Sequence, residues 1–154
     1  MQGKYKKFSN SLYNENDSPA RAAVIDYISS AGLMVKDNPD KYGPDLIVHK
    51  GLGTKSHYVE VEVKRVWSSD SDEFPWATVQ IPARKKKFLD VGLPIEFFIL
   101  RSDLRMAIVI PDFVLGASPL VEVKNKYIPA GEMFYQVDIS QCDLVDISTD
   151  SSKP

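Results

Sequence analysis

Asp45, Glu62 and Lys64 lie in one stretch, GPDLIVHKGLGTKSHYVEVEVKRVW, running from Gly43 to Trp67. In an extended strand, residues i, i+2 and i+4 share a face, and each residue advances the chain by ~3.3 Å. Along HYVEVEVKRVW this places Glu60, Glu62 and Lys64 on one side, with Glu62 and Lys64 ~6.6 Å apart at their backbones. Val59, Val61 and Val63 take the other side and can anchor the strand to a core. Asp45 opens the preceding apolar segment, DLIV, and a hairpin through HKGLGTKS would set it beside the charged face. A carboxylate on each of two adjacent strands, with an ammonium beside them, can surround one hard divalent cation. Magnesium takes oxygen ligands, keeps several waters, and is held by one or two carboxylates plus substrate phosphate. A bound metal acidifies its water and polarises a phosphoryl oxygen, and a lysine alongside can stabilise charge growing on the phosphate. These residue types suffice for metal-assisted phosphodiester hydrolysis. The competing reading is a solvated charge ladder on an exposed sheet face.

The surrounding elements are legible from their periodicity. SPARAAVIDYISSAG reads as a helix, with Ser18 as cap, Pro19 in the first turn and Gly32 at the exit. Its Ala23, Val24, Tyr27, Ile28 and Ala31 recur at helical spacing and are expected in the core. LMVKDN reads as a short strand and PDKYGP as a loop. After the charged strand, SSDSDEFPWATVQI reads as a surface loop, and Pro82 starts a helix over PARKKKFLDV that Gly92 closes. PIEFFILR and RMAIVI are strands, PDFVLGA about one helical turn, and LVEVKNKYI and MFYQVDI a closing hairpin through a PAGE turn. The whole chain, 1–154, reads as a single domain: an arm over 1–17, a core over 18–92, further strands over 93–147 and a frayed tail over 148–154. The expected class is α/β, bordering on α+β, with a mixed central sheet flanked by helices.

Pro44–Asp45 followed by Glu62–Val63–Lys64 resembles the motif of the PD-(D/E)XK nuclease superfamily, which includes restriction endonucleases, archaeal Holliday-junction resolvases and phage nucleases. The resemblance covers roughly Ser18 to Leu89. It implies a restriction-endonuclease-like fold and magnesium-dependent cleavage of DNA, with manganese as a substitute. By that resemblance Asp45 and Glu62 would bind the metal with the Val63 carbonyl, and Lys64 would assist the attacking water. Gln80 matches a supporting glutamine of some branches; read as a strand residue, it simply faces solvent. Resolvase-type relatives carry an extra glutamate in the first helix, where this chain has Arg21. Glu15, Asp17, Asp26 and Glu60 are the acids that could replace it, and its loss puts a second metal in doubt; Glu60 reads more readily as the partner of a surface cation.

Composition narrows the partners. The chain has 154 residues, 44% of them apolar and 26% charged, and a formal net charge of -2. Such a balance suits a globular domain and counts against nonspecific wrapping of nucleic acid. The cations are clustered, however, above all in Arg84–Lys87, from which Arg84, Lys85 and Lys87 are candidate contacts to a DNA backbone. Trp67, Phe74 and Trp76 cluster about an acidic loop as core, dimer-contact or base-stacking aromatics. The single cysteine, Cys142, excludes an internal disulfide and a cysteine-based zinc site, and His49 and His57 lack the neighbours of a helical metal site. No apolar run approaches the ~20 residues that span a bilayer, and no apolar block follows the basic start, so a cytoplasmic location is expected. The leading expectation is a DNA endonuclease acting on double-stranded or branched DNA, a homodimer by geometry if both strands are cut. The alternative is a non-catalytic DNA-binding or protein-interaction module on a nuclease-like fold.

Overall fold

The spacing of Ala20, Val24 and Ile28, one helical turn apart, gives the first element a narrow apolar stripe, and all three are buried. In a computed structural model, which describes residues 18–51, 53–126 and 128–148, this helix (α1) covers residues 18–30. Ser18 is already helical rather than capping. Ala31, expected in the core, is exposed, because the chain leaves the helix there. Gly32, at φ +89°, closes the last turn by donating to the Ser29 carbonyl at 2.9 Å.

The strands that follow are β1 (Met34–Asp37), β2 (Leu46–His49), β3 (Lys55–Lys64), β4 (Thr78–Pro82), β5 (Ile95–Arg101) and β6 (Met106–Pro111). A short helix α2 (Asp112–Ala117) precedes β7 (Leu120–Asn125), β8 (Ile128–Asp138) and β9 (Asp143–Asp146). They form a six-stranded sheet ordered β1-β2-β3-β5-β6-β9 and a three-stranded sheet ordered β4-β8-β7. Only β3 and β5 run parallel; the other pairs are antiparallel. The class is mixed α/β. Among the described residues, no helix is long and apolar enough to cross a membrane.

Alternation on the strands separates two cores. Leu46, Val48, Val59, Val61, Phe98 and Leu100 pack on α1. Ile95, Phe97, Ile99, Ile108 and Ile110 face Val79, Ile81, Tyr135 and Val137 of the second sheet. Because β5 is covered on both faces, its sequence is a continuous apolar run rather than an alternating one.

Three expectations change. The helix from Pro82 is instead a strand end, with Pro82 closing β4, followed by a 3-10 segment over Ala83–Asp90. Within that segment only Phe88 is buried, too little apolar face to hold a regular α-helix against the sheets. One face of the large sheet is therefore covered by a second sheet, not by a helical layer. PAGE lies inside β8 instead of at a turn. There Gly131, at φ +87°, lets the strand bend without ending. DLVD, unassigned from its sequence, forms β9, which pairs with β6 through Ala107 and Val145 and their neighbours. The arm over 1–17 and positions 149–154 of the tail lie outside the described residues.

Candidate active site

With Val59 and Val61 turned toward α1, Glu60, Glu62 and Lys64 must turn toward the second sheet. They do not form a solvated ladder: Glu60 is 7% exposed, and Glu62 and Lys64 are half-buried. Toward the end of β3 the two sheets leave a cleft of about 300 Å³. Glu62, Lys64, Arg65 and Gln80 supply its polar lining, and Val79 and Ile99 are among its apolar walls.

Asp45 enters by register. Leu46 pairs with Val59 in the antiparallel β2–β3 ladder, so the next pair outward is Asp45 opposite Glu60, where the ladder stops. Side chains take over there. The Asp45 amide donates to Glu60 Oε1 at 3.1 Å, and the Val61 amide donates to Asp45 Oδ2 at 2.8 Å. The bend that delivers Asp45 is held tightly: Asn38 Nδ2 donates to the Pro44 carbonyl at 2.9 Å, and the Asn38 amide to that of Asp45 at 2.9 Å. A Cβ at Gly43 would stand 2.7 Å from Asn38 Nδ2, so a larger residue before Pro44 must displace the Asn38 side chain that holds the bend. Since the Val61 amide points to the β2 side, the Val63 amide and carbonyl point that way too. Beyond Leu46 no β2 residue pairs there, and the Val63 carbonyl faces the vacated edge.

The electrostatics of the carboxylates are strained. Burial, followed by the charge of Glu60, pushes the Asp45 carboxyl up to about 7. Burial also raises Glu62, against the opposing pull of Lys85, Arg84 and Lys64. Glu60 has a dedicated partner in the Lys85 ammonium. For Glu62 no hydrogen bond or ion pair is found among the described residues. Two buried carboxylates that sense each other and resist ionisation fit a hard cation, which would lower both. The available donors are Asp45, Glu62 and the Val63 carbonyl, with water completing the shell. Among the described residues, no group of three or more His, Cys, Asp or Glu side chains could hold a metal ion. A site here would thus have two carboxylates and otherwise depend on carbonyl and water oxygens.

The other candidates are placed less uniformly. The Lys64 ammonium lies over the Trp76 indole, 5.5 Å from the ring centroid. Gln80 is exposed on β4 and lines the cleft. Arg84 is on the surface, its Nη1 2.9 Å from Glu132 Oε2. Lys87 is exposed and packs its ammonium 5.1 Å from the Phe88 centroid. Lys85, expected on a DNA-facing surface, is turned inward to Glu60, with 17% of its side chain exposed. Asp26 is exposed on α1; Arg21 sits 3.5 Å from Asp37 Oδ1 and, with Asp45, lines a second cleft of about 340 Å³. Glu15 and Asp17 lie outside the described residues. Cys142 stays a thiol at neutral pH, pushed up to about 11 by burial and by Asp143 and Asp138. Sequence reasoning paired Glu60 with a surface cation but missed that the cation is Lys85, turned inward, and missed the place of Trp76; the hairpin register alone would have set Glu60 against Asp45.

Arg84 and Lys85 separate cleanly by experiment. Arg84→Ala is expected to leave stability within ~0.5 kcal/mol of the parent, since its ion pair with Glu132 is largely exposed. Lys85→Ala strands a buried glutamate and is expected to cost about 3–5 kcal/mol. Urea unfolding reads the two effects, and equal stability losses would show that Lys85 is no internal partner.

No family model matches the chain, and no curated protein or solved structure matches it either, so the functional reading rests on its own residues and geometry.

Proposed function

We propose that the protein is a divalent-metal-dependent DNA endonuclease of the PD-(D/E)XK type, with magnesium as its metal and a restriction-endonuclease-like arrangement of its main sheet. One observation carries this reading: Asp45, just before β2, and Glu62, on the neighbouring β3, are both half-buried with raised carboxyl pKa values, and for Glu62 no hydrogen bond or ion pair is found among the described residues. Such an arrangement costs stability unless a cation is meant to sit there.

Asp45 and Glu62 would hold the metal together with the Val63 carbonyl. When bound, the metal supplies an acidified water and a polarised phosphoryl oxygen. The Asp45 carboxylate is kept in place by the Val61 amide, and its neighbour Glu60 is neutralised by Lys85, so the pair stays available as ligands. Lys64 shares the β3 face of Glu62, and its charge opposes the rise of the Glu62 carboxyl. From there its ammonium can stabilise charge on the scissile phosphate or orient the attacking water. Gln80, across the cleft, can donate to a phosphate oxygen, and Arg84 can hold the DNA backbone farther out.

A second reading, a non-catalytic binding module on the same fold, is favoured by Lys64 resting on Trp76 rather than on a carboxylate. Plasmid and four-way-junction DNA incubated with the protein and magnesium, or with a chelator, decide between them. Nicking that needs the metal and is lost in Lys64→Ala supports the nuclease. DNA binding with no metal uptake and no cleavage supports the module.

A further inference from the structure

We infer that Trp76 is a nucleobase-stacking shelf at the mouth of the cleft, so that the site takes a strand with an unpaired nucleotide beside the phosphate it cuts. The inference rests on reading the cleft as a phosphodiester site, and it names the class of DNA that fits.

The three aromatics of the loop after β3 have different fates. Trp67 is fully buried. Phe74 packs edge-on against it, with centroids 5.1 Å apart, and Trp76 packs edge-on against Phe74 at 5.1 Å. The base of this series is pinned: Trp67 Nε1 donates to the Ser71 carbonyl at 3.2 Å, and Arg101 Nη1 donates to the same oxygen at 3.0 Å. The result is an indole held out from an anchored loop, with 39% of its surface exposed. Rigid presentation of an open aromatic is what a stacking platform requires, because the ordering cost is met in the free protein.

What lies beside the indole indicates its ligand. The Lys64 ammonium sits over the ring, and Lys64 shares the cleft with Glu62, Arg65 and Gln80. The Trp76 face, the Lys64 ammonium and the Glu62 carboxylate two residues before it therefore neighbour one another in turn, a series that matches a base followed by its phosphate. Proteins that hold single strands combine stacking aromatics with a cationic track in this way. A base inside a duplex has both faces covered by its neighbours; only an unpaired one can lie on an indole. The same loop carries Asp70, Asp72 and Glu73, all exposed, and the Asp72 side chain is completely open. That acidic rim repels the doubled backbone charge of a duplex continuing over the loop more than it repels a single strand.

The test is binding by the full chain in chelator, where nothing is cut. Three probes are compared: a DNA duplex with a single-stranded overhang, the same duplex with abasic residues in the overhang, and a blunt duplex. The wild type is expected to bind the overhang roughly 5- to 150-fold more tightly than its abasic counterpart, with quenched tryptophan fluorescence. Trp76→Ala is expected to lose that ratio while still unfolding cooperatively and binding the blunt duplex as the wild type does; Trp76→Phe is expected to keep most of it. Equal binding of the intact and abasic overhangs by the wild type, as a protein-docking indole would give, overturns the shelf. So does a ratio that survives in Trp76→Ala. Cleavage with magnesium is read separately. A wild type that stacks but never cuts upholds the shelf and removes the nuclease reading, whereas a wild type that cuts blunt duplex with no base-dependent ratio does the reverse.

Discussion

Asp45→Asn and Glu62→Gln are each expected to remove magnesium-dependent cleavage, by at least about 10²-fold, while making the metal-free protein more stable above neutral pH. The two effects share a cause. With its carboxyl raised to about 7 by burial and by Glu60, Asp45 keeps a proton in the folded state that the unfolded chain releases near its ordinary value of ~3.9. The stability tied to that proton is complete below ~4 and is lost as pH rises toward and through about 7. Asparagine keeps an oxygen to accept from the Val61 amide and carries no charge, so the melting temperature of that variant should fall less between pH 5 and pH 8 than that of the wild type. Glu62, also raised by burial, should behave in the same direction. Magnesium should restore the wild type at pH 8 by mass action and do nothing for either variant. Melting curves with and without chelator measure all of this. If both substitutions lower stability at pH 8, the carboxylates are structural partners and the proposed activity loses its support.

Asp103→Ala is expected to cost about 3–5 kcal/mol, and more than Arg101→Met. The Arg101 side chain is 7% exposed and that of Asp103 is 26% exposed. Arg101 Nε and Nη2 reach the two Asp103 oxygens at 2.9 and 2.8 Å, a bidentate pair. These bonds from Arg101 hold the Asp103 carboxyl below its ordinary range. The contribution is therefore present above ~3.9 and fades as pH falls below it. Removing the aspartate leaves a guanidinium inside the protein whose remaining close partners among the described residues are the Ser71 carbonyl at 3.0 Å and the exposed Asp72 at 3.7 Å. Removing the arginine leaves a carboxylate that can still reach water. Urea unfolding at pH 7 gives the order, and a larger loss for Arg101→Met would contradict it. The consequence reaches the cleft, because Arg101 is the register partner of Lys64 across β3 and β5 and also secures the loop that carries Trp76.

Local pattern went far in this chain. The valines of β3 announced which side was apolar, the glycines after His49 announced a reversal, and together they were enough to bring Asp45 toward Glu62 and Lys64. Gly51 and Gly53, at φ +73° and +77°, do make that reversal. The 3-10 segment after Pro82 escaped because its fate depended on how much of its surface found a partner. The inward turn of Lys85 escaped for a related reason: its partner Glu60 lies 25 residues earlier in the chain.

Alternation in the sequence determined that Glu60, Glu62 and Lys64 share a face, since side-chain direction in a strand is a property of the backbone alone. Whether that face met water or protein was decided only when β4 and β8 packed over it, as burial depends on segments distant in the chain. Tertiary structure thus raised the carboxyl pKa of Glu62 in that row, and of Asp45 beside it, because desolvation is set by what lies opposite a residue and not by what lies beside it.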